Sequence, residues 1–598
     1  MSTRQKLALI VALACAQVGV PLGPAEAMVY QPAKVGMGDQ WLYYHKGVHY
    51  LYHLYEQPAG QLYGVYLATS TDGVHFKEVG PVIEKQKDAN WLGSGSVWRA
   101  GGKYIMNFSE ARAHQSISFA QSEDLVHWKR LGDEYRSNPD PRWYEVDRWD
   151  CIWALARKEG GFWGYLSANP WRRSDQHPTG LTCRSTGMLE SDDGIRWRAV
   201  PPPVFEWGTT PEMGNFEVGA VRRFQGQYYL LAQTWGPYKG GSYLGATAPG
   251  MYTFIGDTPR GPFHPDTQAF RLLGNTRTRS THFVRFYEMP NEVLANHFLF
   301  TRSLKAWLAP LKKAVVDAQG HLRLVYWRGN EAMKGKPVAV APPSPGTTSG
   351  SKEAVGLTVD GSGGIAVLPL DGQFDVVNGV VLEGTLEIQT AGQTPGRCGI
   401  YIEETTGQGS AVIVGTDGQS QLGALKLEGA KSFEPDDFVE AGITPRRKHT
   451  FRLLTRYYML EFYLDDRLIQ CYSIPERATG RTGLVVQGGR LVVEGLNAWS
   501  MTFAADGVME RLPAGRLEGG GTASRPEGQP PLKVDYPHKH SISQRTGSTG
   551  EILIEGSLGG PAGPIEVRFN SGPWTLIHQG VKPGKFAAAV TGDSPRRP

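Results

Sequence analysis

Short alternating runs of apolar and polar residues fill most of the chain and predict β-strands rather than helices. Four segments share one form, which is an apolar strand, a tight turn with glycine and a second aromatic strand. They begin at Trp41, Val97, Ile152 and Val218. Each is predicted to be a β-hairpin, because apolar residues lie on both arms of a glycine turn. A fainter fifth copy begins at Thr281 and lacks the glycine turn.

A second motif, Ser-x-Asp-(Gly or Leu)-x-x-aromatic, recurs between these hairpins. It starts at Ser70, Ser122 and Ser191. Aspartate and glycine favour a turn, and the aromatic residue anchors that turn to a sheet. Hairpins repeated at spacings of about 50 to 70 residues are typical of four-stranded blades around an axis. Four clear copies and one weak copy predict a five-bladed β-propeller.

The chain after the propeller is divided by stretches rich in proline, glycine and serine. We expect the propeller over residues 28–335, a linker over 336–353 and a β-sandwich over 354–503, where short apolar and polar runs alternate. The linker suggests that propeller and sandwich fold as separate units. A low-complexity linker, 504–543, precedes a terminal segment, 544–598, which is too short for an ordinary sandwich and is predicted to be an incomplete β-module. The predicted fold class is all-β.

The N-terminus has the pattern of an export signal. Arg4 and Lys6 precede an apolar run over residues 7–20, and the small-x-small tripeptide ending at Ala27 follows. Residues 1–27 are therefore predicted to be a signal peptide, and the mature protein to be periplasmic or extracellular. A membrane anchor is the alternative, but the run is shorter than the ~20 residues that a transmembrane helix needs.

Composition agrees with this class and excludes others. The 598 residues include 75 Gly, 40 Pro, 16 Trp and 25 Tyr, as expected of a turn-rich β-protein. Lys+Arg of 62 against Asp+Glu of 58 gives a formal net charge of +4, a balance that argues against nucleic-acid or membrane-surface partners. No later segment is long and apolar enough to span a bilayer. The five cysteines show no zinc spacing, and neither a metal nor a cofactor is predicted.

Three acidic residues lie at matching positions near the first strands of the hairpins: Asp39, Asp150 and Glu217. The first strands of a propeller converge on a central funnel, so the three carboxylates are expected in one pocket. Two carboxylates that flank a glycosidic bond can hydrolyse it, one protonating the leaving oxygen and the other attacking or activating water. Glu217 is the strongest candidate, because it lies inside an apolar strand. A turn or capping role is the alternative for each, and Asp147 is a rival to Asp150.

These segments resemble a known family. The similarity extends over four motifs, namely 37–58 (opening motif), 91–98 (serine-glycine motif), 148–150 (Arg-Asp-Pro motif) and 215–217 (acid/base position). The chain from about Val35 to Gly329 resembles the propeller of glycoside hydrolase family 32 and related families 43 and 68, and the following sandwich resembles the second domain of family 32. The resemblance implies that Asp39 is the nucleophile or base, Glu217 the general acid and Asp150 the stabilising carboxylate.

The sequence departs from the family pattern beside each carboxylate. Gly38 and Gln40 flank Asp39, Trp149 separates Arg148 from Asp150, and Cys151 replaces a proline. Fructosidase specificity therefore does not follow, because these residues belong to the pocket. The expected function is an exported glycoside hydrolase that cleaves O-glycosidic bonds of a furanoside-containing glycan, fructan-like or arabinan-like, with an oligo- or polysaccharide as its partner.

Further residues are expected to bind the substrate. Tryptophans can stack on sugar faces, and Ser94 belongs to the serine-glycine motif. Arg148 lies close in sequence to Asp147 and Asp150, and His282 is placed to face the axis. The full set is Trp41, Trp91, Ser94, Arg148, Trp149, Trp235 and His282. Two alternatives stay open. One is a non-catalytic glycan-binding propeller, and the other is a sialidase-like hydrolase, since the Ser-x-Asp-Gly motif approaches the sialidase Asp-box.

Overall fold

Aromatic and β-branched runs make nearly all of the described chain extended, as the alternating pattern predicts. The structure is a computed structural model that describes residues 29–32, 35–57, 61–171, 185–210, 213, 216–234, 250–274, 281–300, 306–340, 357–370, 374–375, 379–390, 394–456, 459–473, 479–502, 532–536, 549–558, 565–568, 574–578 and 584–593. The predicted signal peptide, residues 1–27, lies outside these ranges. Within them, the helices are two short 3₁₀ segments, Asp133–Tyr135 and Arg328–Met333, and no helix there is long and apolar enough to cross a membrane.

Five antiparallel sheets, each beginning with one of the predicted hairpins, form the blades. Blade 1 is β1 (Gly36–His45), β2 (Val48–Gln57), β3 (Gln61–Ser70) and β4 (Lys77–Glu84); blade 2 is β5 (Trp91–Ala100), β6 (Lys103–Ala111), β7 (Gln115–Ser122) and β8 (Lys129–Arg130); blade 3 is β9 (Tyr144–Ala156), β10 (Phe162–Pro170), β11 (Thr186–Ser191) and β12 (Arg198–Val200); blade 4 is β13 (Glu217–Phe224), β14 (Gln227–Thr234), β15 (Gly250–Gly256), β16 (Phe263–Pro265) and β17 (Arg271–Gly274); blade 5 is β18 (Thr281–Met289), β19 (Glu292–Phe300), β20 (Ala306–Leu308), β21 (Lys312–Val316) and β22 (Leu322–Tyr326). The first strands pack in the cycle β1, β5, β9, β13, β18 and back to β1. This closed ring confirms the five-bladed propeller.

The hairpin turns have the geometry that their glycines suggest. Lys46 and Gly47 both have positive φ, 46° and 84°, and Gln225 and Gly226 have 47° and 98°. Two such residues in a two-residue connection form a type I′ turn, whose twist matches that of the flanking strands. The faint fifth copy is also a hairpin, with Met289 paired to Glu292 across a Pro-Asn turn.

The Ser-x-Asp motif joins the third strand to the fourth in blades 1, 2 and 3. In blade 1, Oδ1 of Asp72 accepts hydrogen bonds from the backbone N–H of Val74 at 2.9 Å and of His75 at 2.8 Å, while Ser70 Oγ accepts one from Gly73 at 2.9 Å. The same bonds recur in the other two copies. The motif therefore closes the turn between the third and fourth strands in three blades.

Two sheets packed face to face form the sandwich. The first contains β23 (Lys334–Val338), β24 (Leu357–Asp360), β26 (Val380–Thr390), β31 (His449–Arg456), β32 (Met459–Leu464), β33 (Arg467–Ser473) and β35 (Gly489–Met501); the second contains β25 (Ala366–Leu370), β27 (Arg397–Thr405), β28 (Gln408–Gly415), β29 (Ser420–Lys426), β30 (Ser432–Val439) and β34 (Thr482–Gln487). Side chains such as Ile388, Ile400 and Phe462 fill the space between them. The second predicted domain is thus a sandwich.

The propeller and the sandwich are continuous rather than separate. Val325 of β22 pairs with Arg467 of β33, so blade 5 and the first sandwich sheet form one 12-stranded sheet. One core cluster includes Trp307 and Tyr326 of the propeller together with Tyr463 of the sandwich. Both domains lie in one compact unit, residues 1–514. These contacts across the boundary were not expected, because a composition-based linker says nothing about strand pairing elsewhere.

The predicted linker, 336–353, also starts too early. Its first residues belong to β23, where Pro337 pairs with Trp499 of β35. β23 is an edge strand, and proline is tolerated on an edge because one side of such a strand needs no N–H donor. Most of the remaining linker, 341–353, lies outside the described residues.

A second compact unit covers residues 515–598. A three-stranded sheet contains β36 (Leu532–Tyr536), β37 (Thr549–Leu558) and β40 (Gly584–Asp593), and a two-stranded sheet contains β38 (Ile565–Arg568) and β39 (Trp574–His578). Five strands fit a small β-module. Its first strand lies within the stretch 504–543 that we expected to be a linker.

Candidate active site

An irregularity in strand pairing marks the innermost strand of every blade. The register shifts between Met37 and Gln40 in β1, Leu92 and Gly95 in β5, Asp150 and Trp153 in β9, Val218 and Ala220 in β13, and His282 and Arg285 in β18. Bulges of this kind bend a strand and change the direction of its side chains. Because the five first strands surround the axis, the bulges converge there. The three predicted carboxylates lie within or directly beside three of them.

The structure brings the three carboxylates together. The negative charges of Glu217 and Asp150 both act on Asp39 and, with burial as the larger cause, raise the pKa of Asp39 to about 7. All three side chains stay partly exposed, as required of groups that meet a substrate. Three neighbouring carboxyls cannot all ionise freely, so the cluster retains a proton near neutral pH.

Two serines from blade 2 hold the carboxylates. Ser109 donates a hydrogen bond to Asp150 Oδ1 at 2.6 Å, and Ser94 hydrogen-bonds to Asp39. The glycines of the serine-glycine motif make this approach possible. A Cβ on Gly93 would lie 2.2 Å from Ser109 Oγ, and a Cβ on Gly95 would lie 1.8 Å from a backbone oxygen. Ser94 was expected to bind substrate, but it is buried and acts on Asp39 instead.

Glu217 forms an ion pair with Arg148. Arg148 Nη2 donates to Glu217 Oε1 at 2.6 Å, and the two side chains are 21% and 20% exposed. Arg148 reaches blade 4 because residues 145–148 form an extra loop in β9, between the pairs Trp149–Ala168 and Tyr144–Pro170. The side chain of Asp147, the rival to Asp150, lies outside the described residues. The charge of Asp150 acts on Asp39.

Arg285 of blade 5 completes the site, although our sequence analysis did not select it. Its side chain is 1% exposed. It donates hydrogen bonds to the backbone oxygen of Gly95 and, at 3.1 Å, to Cys151 Sγ, and its charge lowers the pKa of Asp39. Arg285 thereby holds the immediate neighbours of Ser94 and Asp150. The signal that identified Glu217, a charged residue in an apolar strand, is also present at His282-Phe283-Val284-Arg285-Phe286.

Two predicted substrate-stacking residues belong to the core. Trp41 is 1% exposed and stacks on Tyr52. Trp149 is 0% exposed, donates to Ser137 Oγ at 3.1 Å and meets Tyr144 edge-to-face. Trp149 points away from the funnel because it is adjacent to Asp150, and neighbouring strand residues face opposite sides. Neither ring can reach a ligand, so both predictions are wrong.

The other aromatic predictions have different outcomes. Trp91 is partly exposed and its ring lies over Gly93, so it remains a candidate sugar contact beside the serine-glycine motif. Trp235 lies outside the described residues. His282 belongs to β18, where it pairs with Phe298, but its side chain is not among those described.

Neither Cys151 nor a group of possible metal ligands among the described residues adds chemistry to the funnel. Burial raises the pKa of the Cys151 thiol to about 11, so it stays protonated and is a poor nucleophile. Within the described residues, one group of possible metal ligands, His297, Glu461 and Cys471, lies within 4.8 Å, between blade 5 and the sandwich. The ammonium group of Lys312 already bonds to His297 at 2.7 Å and to Glu461 at 2.5 Å, in the place that a cation would take.

Comparisons with known proteins show the fold. No protein-family model matches the sequence, and no curated protein matches it. Solved structures similar to this chain include an exo-inulinase from Aspergillus awamori (TM-score 0.55, 12% identity, 81% of this chain and 99% of that chain), a family 32 β-fructofuranosidase from Bombyx mori (0.55, 13%, 80% and 94%) and a fructosyltransferase from A. japonicus (0.57, 10%, 80% and 95%). The chain therefore has the propeller-and-sandwich fold of glycoside hydrolase family 32 enzymes.

Proposed function

We propose that this protein is an exported glycoside hydrolase that cleaves O-glycosidic bonds in a furanoside-containing oligo- or polysaccharide. One observation carries the proposal. Three propeller blades each direct one carboxylate, Asp39, Asp150 or Glu217, into a common, partly exposed site. Paired carboxylates are what glycoside hydrolysis needs, because one must protonate the leaving oxygen while the other attacks carbon or activates water.

We assign Asp39 as the nucleophile or base, Glu217 as the general acid and Asp150 as the carboxylate that stabilises the transition state. The free protein places its shared proton on Asp39, and the ion pair with Arg148 favours the anion of Glu217. Hydrolysis needs the opposite distribution of the proton, with Asp39 ionised and Glu217 protonated. Both arrangements hold the same number of protons, so activity should follow the singly protonated cluster and give a bell-shaped pH profile.

A catalytic site explains the geometry better than a glycan-binding propeller does. Carboxylates that bind sugar hydroxyls have no need to repel one another, and enclosing them together costs stability. Charged groups that are partly enclosed and strongly perturbed are typical of sites that move protons. The coupled Asp39, Asp150 and Glu217 fit this description.

The substrate class and the location rest on separate grounds. The names of the similar structures, an inulinase, a fructofuranosidase and a fructosyltransferase, all concern fructosyl groups, which are furanosides. The signal-like residues 1–27 support export to the periplasm or the medium. Arabinans remain included because the residues beside each carboxylate depart from the fructosidase pattern.

A panel of fructans, arabinans and aryl-furanosides tests the activity, and two variants test the roles. Glu217→Gln should lose turnover of natural glycans far more than turnover of aryl-furanosides, because an activated aryl group leaves without protonation. Asp39→Asn should lose both. Glu123→Gln, at a side chain 82% exposed, is the matched control and should behave as wild type. Binding of a glycan without hydrolysis of any substrate in the panel would support the binding-propeller alternative instead, and exchanged behaviour of the two variants would reverse the roles.

A further inference from the structure

A cleft lies where blades 4 and 5 meet the sandwich, away from the carboxylates of the funnel. The cleft has a volume of about 40 Å³, and its walls come from residues 269–274 of blade 4, from β22 and from β33. Apolar side chains such as Leu273, Leu324 and Ile469 form part of the lining. This space accommodates a small oxyanion group.

Three arginines line this cleft: Arg271 from the propeller's fourth blade, Arg323 from the fifth and Arg467 from the sandwich. Arg271 Nη2 bonds to Asp437 Oδ1 at 2.7 Å, but its Nη1 is buried and has no hydrogen-bond partner. Arg323 Nε donates to Asp317 Oδ2 at 2.9 Å. The arginines therefore retain donor capacity that protein groups do not use.

Arg467 is the least compensated of the three. Its guanidinium group has no hydrogen bond or ion pair with any described residue. Burial, followed by the charge of Arg323, lowers the pKa of Arg467 to about 10, even though Asp317 and Glu440 act in the opposite direction. A guanidinium group that is partly buried beside a second one, and whose side chain has no ion pair with a described residue, is able to take an anion as its partner.

We propose that this cleft binds an oxyanion, held by Arg467 together with Arg271 and Arg323. The planar guanidinium fork matches the oxygens of a carboxylate, a sulfate or a phosphate. An acidic sugar residue of a glycan and a free inorganic ion both supply this group. The site is independent of the proposed hydrolysis, because no residue of the funnel takes part in it.

The cleft lies between the propeller and the sandwich, so an anion bound there should also affect stability. Arg323 belongs to β22 and Arg467 to β33, the two strands that join propeller and sandwich. An anion between them contacts both domains and should stabilise their association. Ligand binding to the folded state alone raises the free energy of unfolding by RT ln(1 + [L]/Kd).

Titration calorimetry and thermal unfolding of the full chain test the proposal, with sodium phosphate, sodium sulfate, galacturonate and neutral galactose at constant ionic strength. At least one anion should bind and raise Tm, and galactose should not. Arg467→Gln should weaken binding at least tenfold, whereas Arg467→Lys, which keeps the charge but loses the fork, should fall in between. Arg490→Gln, at an exposed arginine of the sandwich, should bind as wild type.

The outcomes separate the sources of the anion. Binding of galacturonate without phosphate or sulfate indicates an acidic glycan, and binding of the inorganic ions alone indicates a free ion. Binding that is unchanged in Arg467→Gln, or the absence of binding by every anion, overturns the proposal. Circular dichroism of each variant confirms folding, and if Arg467→Gln does not fold, Arg467→Lys decides. Glycosidase activity enters none of these readouts, so failure of the proposed hydrolysis leaves the test intact.

Discussion

The funnel and the junction between propeller and sandwich both enclose charged residues, but they neutralise them differently. At the junction, Lys312 and Glu461 are both 0% exposed and 2.5 Å apart, Tyr463 donates to Glu461 at 2.7 Å, and Lys312 also bonds to His297. Burial and the charge of Lys312 keep the pKa of His297 far below its ordinary value, so its neutral ring accepts that bond. Asp39 in the funnel has two carboxylates as neighbours and no ion pair among the described residues.

The comparison shows that burial of a charge does not by itself indicate function. A charged group whose partners satisfy every donor and acceptor holds the fold together. A carboxyl left under-compensated at a partly exposed position is available for chemistry.

Replacing the carboxyl group of Asp39 with an amide should abolish activity without destabilising the fold. We expect Asp39→Asn to lower kcat/KM by about 10³-fold or more, roughly 4 kcal/mol of barrier, because the nucleophile or base is lost. Its thermal midpoint should equal or exceed that of wild type, since repulsion by Glu217 and Asp150 is relieved. Steady-state kinetics and calorimetry measure the two quantities. A folded variant with activity within tenfold of wild type would contradict the assignment.

Removing one partner at the junction should do the reverse. Lys312→Met leaves Glu461 as an unpaired buried charge and should lower the free energy of unfolding by about 3 to 5 kcal/mol, measured by urea denaturation. The double variant Lys312→Met/Glu461→Leu should recover most of that loss, because no buried charge remains. Activity per folded molecule should stay at the wild-type level in both. Equal destabilisation in the single and double variants would mean that the charge itself is not the cause.

The pH dependence of the free energy of unfolding should reveal the raised pKa of Asp39. The folded protein raises the pKa of Asp39 from its ordinary 3.8 to about 7, so it favours the neutral carboxyl. The resulting stabilisation is fully present below pH 3.8 and is lost as pH rises through about 7. Relative to Asp39→Asn, wild type should lose up to about 1.4 kcal/mol per pH unit across that window. Parallel stability curves for the two proteins would show that the pKa is not raised.

Arg285 should have a smaller effect that reveals a positioning role. We expect Arg285→Gln to lower kcat/KM by about 10- to 100-fold and to move the alkaline limb of the pH profile upward, because the guanidinium charge lowers the pKa of Asp39, the group that holds the proton of the singly protonated cluster. Arg285→Lys should restore the limb but only part of the rate, since lysine lacks the fork that holds Gly95 and Cys151. If Arg285→Gln lowers Tm but leaves that limb of the pH profile unchanged, Arg285 has a structural role alone.

Local signals explain what the sequence predicted correctly. Glycine turns and aromatic strands define hairpins within about 20 residues, so four blades were predicted from clear copies and the fifth from a fainter copy without the glycine. Matching positions in the repeat selected Asp39, Asp150 and Glu217. Strand alternation alone would have excluded Trp149, which neighbours Asp150. It would not have excluded Trp41, two residues after Asp39, because the bulge between Met37 and Gln40 changes which face follows.

Long-range pairing explains what the sequence did not predict. Arg285 meets Gly95 and Cys151 across the propeller axis, and nothing local indicates that contact. Glu461 is also a charged residue within an apolar strand, but its role is structural. This signal therefore finds buried charged residues without separating catalytic ones from structural ones. The continuous sheet through Val325 and Arg467 likewise depends on residues that are far apart in the chain.

The pairing of β22 with β33 also covers part of a strand edge. Without the sandwich, β22 would be the outer strand of blade 5 and would expose the backbone groups of Val325 and Tyr326 that meet Arg467 and Asp466, beside buried side chains such as Leu322 and Leu324. Such an edge is a template for pairing with other chains. A chain shortened to end near Gly335 should therefore aggregate or form edge-to-edge oligomers rather than persist as a free propeller. Covering the last blade is thus a task of the second domain that requires no ligand and no chemistry.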